Sequence, residues 1–191
     1  MNPILTQSLS FMAWVIYGSF FEWYWHKLWM HHPRSPKEAF RGHTVVHHGL
    51  YRGDDTYFVD EEKVEHILLK PYALPAIVLV HLPAIFMIQH FIPNTAIGAT
   101  LSCLLYFVVY EYMHWNMHVP RKQFVERFKW FQFLRQHHKL HHRYMLKNFC
   151  VLVPLADYML GTMVTDASLA RQKAEREAAL ANGNLPKKAR R

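Results

Sequence analysis

Two long apolar tracts interrupt an otherwise charged chain. Residues 1–26 carry Glu22 as their one residue among Asp, Glu, Lys and Arg, and residues 71–110 carry none. Within the first tract, "ILTQSLSFMAWVIYGSFFEWYW" (4–25) is about one membrane thickness of helix, with Trp and Tyr gathered at its end as at a bilayer interface. "PYALPAIVLVHLPAIFMIQHFI" (71–92) and "TAIGATLSCLLYFVVYEYMHW" (95–115) flank Pro93–Asn94, a turn signal. They read as a helical hairpin that enters and leaves by one side. Pro75, Pro83 and His81 weaken its first arm, although a membrane helix tolerates proline with a kink. A buried hairpin in a soluble protein ranks second, because charge-free stretches of this length are rare in soluble folds. The pattern predicts an all-α integral membrane protein with about three spanning helices.

Charge gives these spans a direction. The formal net charge is +8, and all 22 Lys and Arg fall within 27–70 or 121–191. If 4–25 crosses once and 71–115 crosses twice, both basic regions share one face, which the positive-inside bias makes cytoplasmic. The N-terminus is then expected on the opposite side. Without a basic leader or a small-residue cleavage pattern, 4–25 reads as a retained anchor. Mean hydropathy is only −0.10, an average that hides this segregation. Residues 1–165 are expected to form the membrane domain with a helical, histidine-rich cytoplasmic cap. Residues 166–191 are expected to be a charged tail, helical to about Leu180, with "KKARR" a solvated basic end near anionic lipid. The bases lie among histidines beside membrane segments, so no nucleic-acid role is expected. Cys103 and Cys150 form no CxxC pair, which argues against a disulfide framework or thiolate site and fits a reducing, cytosol-facing setting.

The chemistry lies in histidine. Twelve of the fifteen histidines fall into four clusters: "HKLWMHH" (His26, His31, His32), "HTVVHH" (His43, His47, His48), "HWNMH" (His114, His118) and "HHKLHH" (His137, His138, His141, His142). Spacings of three or four residues place two side chains on one helix face. His43 with His47, His114 with His118, and His138 with His141 meet this condition, so each pair is expected to present two ring nitrogens to one point. Adjacent pairs such as His47–His48 and His141–His142 diverge by about a quarter turn, so one cluster reaches two points. The natural reading is two metal ions close together. The outliers His66, His81 and His90 read as ordinary polar residues, and only His81 and His90 lie inside a span.

Ten to twelve imidazoles shared by two ions give five or six each, more than tetrahedral zinc takes. That count suits a higher-coordinate first-row ion, and iron is the ordinary redox candidate. Soluble di-iron bundles use Glu and Glu-x-x-His ligands, whereas Glu22 and Glu111 are the only acids in the apolar segments here. Glu111, Asp54 and Asp55 are candidates to orient imidazole N–H groups, set against a simpler solvated or interfacial role.

At these residues the chain resembles the fatty acid hydroxylase/sterol desaturase superfamily of integral-membrane di-iron oxygenases. The superfamily signature runs HxxxxH, HxxHH or HxxxHH, HxxxH, then HxxHH. Here it becomes His26–His31, His43–His47–His48, His114–His118 and His138–His141–His142, in order, with the hairpin between the second and third boxes. "PLADYMLGT" (154–162) is similar to the family's stretch after the last box, and the resemblance covers about residues 10–163. Box two has three spacers where fatty acyl 2-hydroxylases usually have two. His32 and His137 are extra to the pattern, each either a ligand of its box or a neighbour that orients one. The larger members have four spans where three are counted here.

The resemblance implies two iron ions, with zinc able to replace them on purification, and O₂ as co-substrate. His26, His31, His43, His47, His48, His114, His118, His138, His141 and His142 are the implied ligands. No catalytic residue is implied beyond them. It further implies hydroxylation of a lipid, preferably a fatty acyl chain. Trp23, Trp25, Trp29, Trp115 and Trp130 are candidates to line the lipid's access or to form an interfacial belt. With no "HPGG" haem segment, electrons are expected from a separate, acidic redox protein docking on the basic face. Carotenoid or sterol hydroxylases and lipid desaturases share these boxes and stand as alternatives. A non-catalytic membrane metal-binding protein is the rival from another class, disfavoured because every box is intact. Nothing in the pattern specifies an oligomeric state.

Overall fold

Asn2 starts the first helix: its side chain accepts the N–H of Ile4 (2.9 Å), and Pro3 fills the first helical position, where no N–H is needed. The computed structural model describes residues 2–34, 37–60 and 66–181. The main α-helices are α1 (Pro3–Trp25), α2 (Ala73–Phe91), α3 (Ala96–His118), α4 (Lys129–Arg143) and α6 (Asp166–Ala181), with a five-residue α5 (Leu155–Met159) before the last. Shorter helical turns carry the histidine boxes between α1 and α2, and no strand occurs among the described residues. Three helices are long and apolar enough to cross a membrane: Pro3–Met30, Ala73–Phe91 and Ala96–His118.

The buried face of α1 is largely polar and its outward face apolar, beside a small apolar cluster of Trp14, Ile85 and Ala99. On α1 the buried positions are Thr6, Ser10, Trp14, Ser19 and Glu22, while Ile4, Leu5, Leu9, Met12 and Ile16 point outward. In water this would waste apolar surface; in lipid the tails solvate leucine as well as a neighbouring helix does, so small and polar residues hold the helices together. Each buried polar group on this stripe has a named partner. Ser10 Oγ donates to the Thr95 carbonyl (2.8 Å), the Tyr106 hydroxyl donates to Glu22 Oε2 (2.7 Å), and Ser19 Oγ donates to the Val153 carbonyl (2.6 Å). Thr6 Oγ1 donates to the Asn2 carbonyl (3.1 Å).

The α2–α3 hairpin turns at Pro93–Asn94 as expected. Asn94 adopts φ 64°, a left-handed conformation that asparagine tolerates. Gln89 Oε1 accepts the N–H groups of Thr95 (2.8 Å) and Ala96 (2.9 Å), so the end of α2 satisfies the open donors at the start of α3. α2 runs unbroken through Pro83. The cap core gathers Tyr110, Met113, Met117, Val125, Phe131, Leu134 and Val151 where α3 meets α4. α6 extends one residue past the expected Leu180 and is largely exposed, stitched by Arg171–Glu175 (2.7 Å) and Lys173–Glu177 (3.9 Å) pairs. The basic "KKARR" end lies outside the described residues.

α1 and α3 touch through glycine. The Gly98 N–H donates to Gln7 Oε1 (2.7 Å), and a Cβ at Gly98 would lie 2.1 Å from the Gln7 carbonyl oxygen. The obstruction is backbone, so no rotamer change relieves it. Gly98→Leu should cost about 1–3 kcal/mol or more by forcing the helices apart. Thermal unfolding in detergent micelles reads this as a clear fall in Tm, with Gly42→Ala, where the added carbon meets nothing within 4 Å, as the silent control.

Candidate metal centre

Two short π-helical segments, His26–Met30 and Arg41–His47, set the first half of the site. In a π-helix the backbone bond runs from i to i+5. The His31 N–H accordingly donates to the His26 carbonyl (3.1 Å), and the His48 N–H donates to the His43 carbonyl. This wider turn brings His26 beside His31, and His43 beside His48. The second half uses ordinary α-helix: His114 and His118 on the last turn of α3, and His138 and His142 on α4, each four residues apart. His141, on another face of α4, joins the first pair of rings.

The result is two groups of five. His26, His31, His43, His48 and His141 form one, and His47, His114, His118, His138 and His142 form the other. Within each group the five ring nitrogens lie within 4.8 Å of one another, a donor set able to hold a metal ion. In the first group, Nε2–Nε2 separations are 2.7 Å (His26–His43), 3.1 Å (His43–His48), 3.1 Å (His48–His141) and 3.0 Å (His31–His141). In the second they are 3.2 Å (His47–His142), 3.0 Å (His138–His142) and 3.2 Å (His118–His138). The rings abut across the two groups, with His48 and His142 stacked at 4.2 Å.

Backbone carbonyls decide which nitrogen faces inward. His26 Nδ1–H donates to the Phe149 carbonyl, His141 to Lys147 (2.7 Å), His47 to His66 (3.0 Å), His118 to Tyr57 (3.0 Å) and His142 to Tyr51. A carbonyl only accepts, so each of these rings carries its proton on Nδ1 and a lone pair on Nε2. Burial, with neighbouring rings adding to it, pulls His43, His47, His138 and His142 well below the usual histidine range. Burial likewise lowers His48, takes His31 to about 2 and takes His141 to about 4. These rings are neutral at pH 7.

Neutral rings with fixed tautomers create a specific shortage. His47 and His142 both spend their single N–H on a carbonyl, yet their Nε2 atoms approach to 3.2 Å. Two lone pairs do not bond each other; a Lewis acid between them satisfies both. His114 is buried as well, and a metal bond would satisfy the lone pair of the one nitrogen it offers to the second group. Neither group contains a carboxylate or thiolate. A cavity of about 560 Å³ reaches both groups, at His48 and His142, and is lined as well by Arg52, Gly53, Asp54, Arg143 and Met145.

All ten histidines preferred from the sequence enter the two groups, and the adjacent pairs His47–His48 and His141–His142 separate between them. The expected pairings of His43 with His47 and of His138 with His141 are corrected. His43 joins His48 because that segment is π-helical, and His138 joins His142 because α4 is a regular α-helix. His32 and His137 lie outside both groups: His32 Nδ1–H donates to the Lys27 carbonyl (2.7 Å), and His137 Nε2–H donates to Asp157 Oδ2 (3.1 Å). His66 contributes its carbonyl and not its ring. His81 bonds the Ile77 carbonyl (2.7 Å) and the Tyr17 hydroxyl (3.1 Å) between α1 and α2, and His90 is exposed.

The acids are also reassigned. Glu111 accepts the Leu69 N–H (2.9 Å), Asp54 accepts from Thr56 (2.9 Å to N, 2.8 Å to Oγ1), and Asp55 begins a short helical turn. None of the three has a histidine ring among these partners. The buried acid that matters is Asp157, inside "PLADYMLGT", which sequence reasoning missed. It accepts from the Phe149 N–H (2.9 Å), the Cys150 N–H (2.7 Å), Thr162 Oγ1 (2.6 Å) and His137. Among the tryptophans, Trp23 donates to Thr162 Oγ1 (2.8 Å), Trp25 and Trp29 stack at 5.0 Å, and Trp130 is exposed.

The lowered pKa values link pH to stability. Unfolded, these rings titrate at about 6.5; folded, they take a proton only at far lower pH. Below about 6.5 the unfolded chain therefore binds more protons, and stability falls as pH falls towards the folded values, each ring contributing up to about 1.4 kcal/mol per pH unit. Metal-free protein should show a Tm independent of histidine above about pH 7.5 and a steep fall between about pH 6.5 and 5. A thermal melt that stays level through that window contradicts the buried neutral cluster.

No curated protein and no solved structure matches the chain. A family of oxidoreductases does: its sequence model, fatty acid hydroxylase, matches residues 11–162, a span that starts in α1, covers every ring of both groups and ends at Thr162, a donor to Asp157. With the match extending over most of its length, this all-helical integral membrane protein belongs to the fatty acid hydroxylase family.

Proposed function

We propose that the protein is a membrane oxidoreductase that hydroxylates a lipid acyl chain, using O₂ and two electrons from a separate redox protein. The observation that carries this reading is the pair of five-histidine groups, in which backbone carbonyls turn the lone pairs of five rings inward. Two iron ions held there would supply the redox and O₂ chemistry. Five nitrogen donors per group exceed what tetrahedral zinc takes and match a higher-coordinate ion. The overall reaction balances as one C–H bond, O₂, two electrons and two protons giving C–OH and water.

The chain's own residues hold and shield this chemistry. The carbonyls of Tyr51, Tyr57, His66, Lys147 and Phe149 fix five of the ten rings, each with Nδ1 turned outward and Nε2 toward the centre. Met117, Phe149, Val151 and Phe131 are fully buried around the rings and in the adjoining cap core, keeping bulk water out. α1 and α3 run directly from the lipid-exposed bundle into the site, which favours a substrate that arrives through the membrane. The bases near the cavity, Arg52 and Arg143, favour an acidic electron donor, and the concentration of Lys and Arg beside the spans favours a cytoplasmic cap with the N-terminus opposite.

Lipid mass spectrometry on cells with and without the gene tests the reaction class. Gain of one oxygen supports hydroxylation; loss of two hydrogens turns the reading to desaturation. Inserted protein supplied with iron and reductant that contains only zinc and changes no lipid overturns the oxidoreductase reading. In the same assay His118→Ala and His141→Ala should each abolish product while the protein still inserts. His66→Asn should leave product close to wild type, since only the His66 carbonyl is used and asparagine tolerates its positive φ of 53°.

A further inference from the structure

The carbonyls that orient the rings are segregated by group. His26 and His141, both of the first group, are held by the Phe149 and Lys147 carbonyls, two residues apart on one segment. His47, His118 and His142, all of the second group, are held by the carbonyls of His66, Tyr57 and Tyr51, on the opposite side of α4 in sequence. No carbonyl of one segment serves the other group among the described residues.

Each segment has its own fastening. The 147–150 segment is clasped by Asp157, which is fully buried and accepts both the Phe149 and Cys150 N–H groups. Asn148, at φ 54°, completes the clasp by donating from Nδ2 to the His137 and Val164 carbonyls (both 3.0 Å). The Tyr51–Tyr57 segment is fastened at Gly53, where a Cβ would lie 2.4 Å from Arg143 Cβ and 2.6 Å from Arg143 Cα and N. Only glycine lets this backbone reach α4 so closely, next to His142.

We propose that Asp157 is a positioning residue for the first histidine group alone, and that Gly53 performs the same task for the second, so the two metal affinities are separately adjustable. Asp157 acts through Phe149 and Lys147 on His26 and His141. In Asp157→Asn, Oδ1 still accepts, but the amide NH₂ replaces the oxygen facing the Cys150 and His137 donors, and the clasp loosens. His137 contributes no nitrogen to either group, and α4 is regular α-helix through His137 and His138.

The proposal rests on the reading that both groups hold metal. The test is a cobalt(II) titration of metal-free, full-length protein in detergent micelles, followed by the visible absorption of bound cobalt. Wild type should take up two equivalents. Asp157→Asn should weaken one equivalent by on the order of tenfold or more and leave the other unchanged, and Gly53→Val should do the same. Combining each with His31→Ala, which removes a ring from the first group, identifies the equivalent. Asp157→Asn/His31→Ala should keep one equivalent at wild-type affinity, whereas Gly53→Val/His31→Ala should keep none. If the asparagine variant does not fold, Thr162→Val, which removes one donor to the same carboxylate, should show its pattern in milder form. Either variant weakening both equivalents alike, or leaving both at wild-type affinity, overturns the proposal. Wild-type protein that takes up no cobalt overturns the metal reading and the proposal with it.

Discussion

Ten imidazoles gathered in a buried space, five of them with lone pairs turned inward by backbone carbonyls, constrain everything around them. Each ring has one N–H to place and one lone pair to satisfy. At close range, rings free to flip would pair N–H to lone pair, chain-like, and close the space. For five of the rings the backbone prevents this by offering carbonyls that accept the N–H and nothing else, at Tyr51, Tyr57, His66, Lys147 and Phe149. A carbonyl at a fixed place requires a fixed chain, so the irregular segments of the cap are as closely determined as its helices. Asp157 and Gly53 are where that determination is visible, one by four accepted hydrogen bonds and the other by close backbone approach.

The membrane bundle feeds the same constraint. α1 buries Ser19 and Glu22 at its lower end, and both reach the segment that follows Phe149. Ser19 Oγ accepts the Ala156 N–H (3.0 Å) and donates to the Val153 carbonyl, while Glu22 Oε1 accepts the Val151 N–H (2.5 Å). Tyr106 on α3 donates to the other oxygen of Glu22. One carboxylate therefore ties two spans to the strip of backbone that orients His26 and His141. Polar residues that look misplaced on an apolar helix are the joints between bundle and cap, and α1 continues without a break into the π-helical turn carrying His26.

Periodicity and charge made the spans readable, because a charge-free apolar helix about as long as the bilayer is thick is rarely at home anywhere but in lipid. The four clusters were readable because histidine is scarce and its positions repeated. What sequence could not convey was the local winding. The α-helical rule that pairs residues four apart gave the right partner for His114 and the wrong one for His43, whose segment is π-helical. For His138 the expected partner was His141, three residues on, whereas on the regular α-helix of α4 its ring meets that of His142, four residues on. The supporting groups were hidden for a different reason. A carbonyl is present at every residue, so its use leaves no mark on the sequence. Asp157 alone could have been suspected, as an acid in an otherwise uncharged "PLADYMLGT".

The boxes divide unequally between the two groups, and that inequality explains why the groups lie side by side. Box one supplies only the first group and box three only the second, so neither could fix the distance between them. Boxes two and four supply both. His47 and His48 are neighbours in one chain segment and point into different groups, as do His141 and His142 on α4. Two covalent neighbours cannot drift apart, so each adjacent pair is a clamp of fixed span, and two clamps from unrelated segments hold the groups parallel. His48 stacks on His142 at 4.2 Å across those clamps, beside the His48–His141 and His47–His142 approaches. The rings are thus tied together across the groups, while the carbonyls that orient them are kept apart. That combination holds two metal sites at one separation and still leaves the strength of each to its own loop.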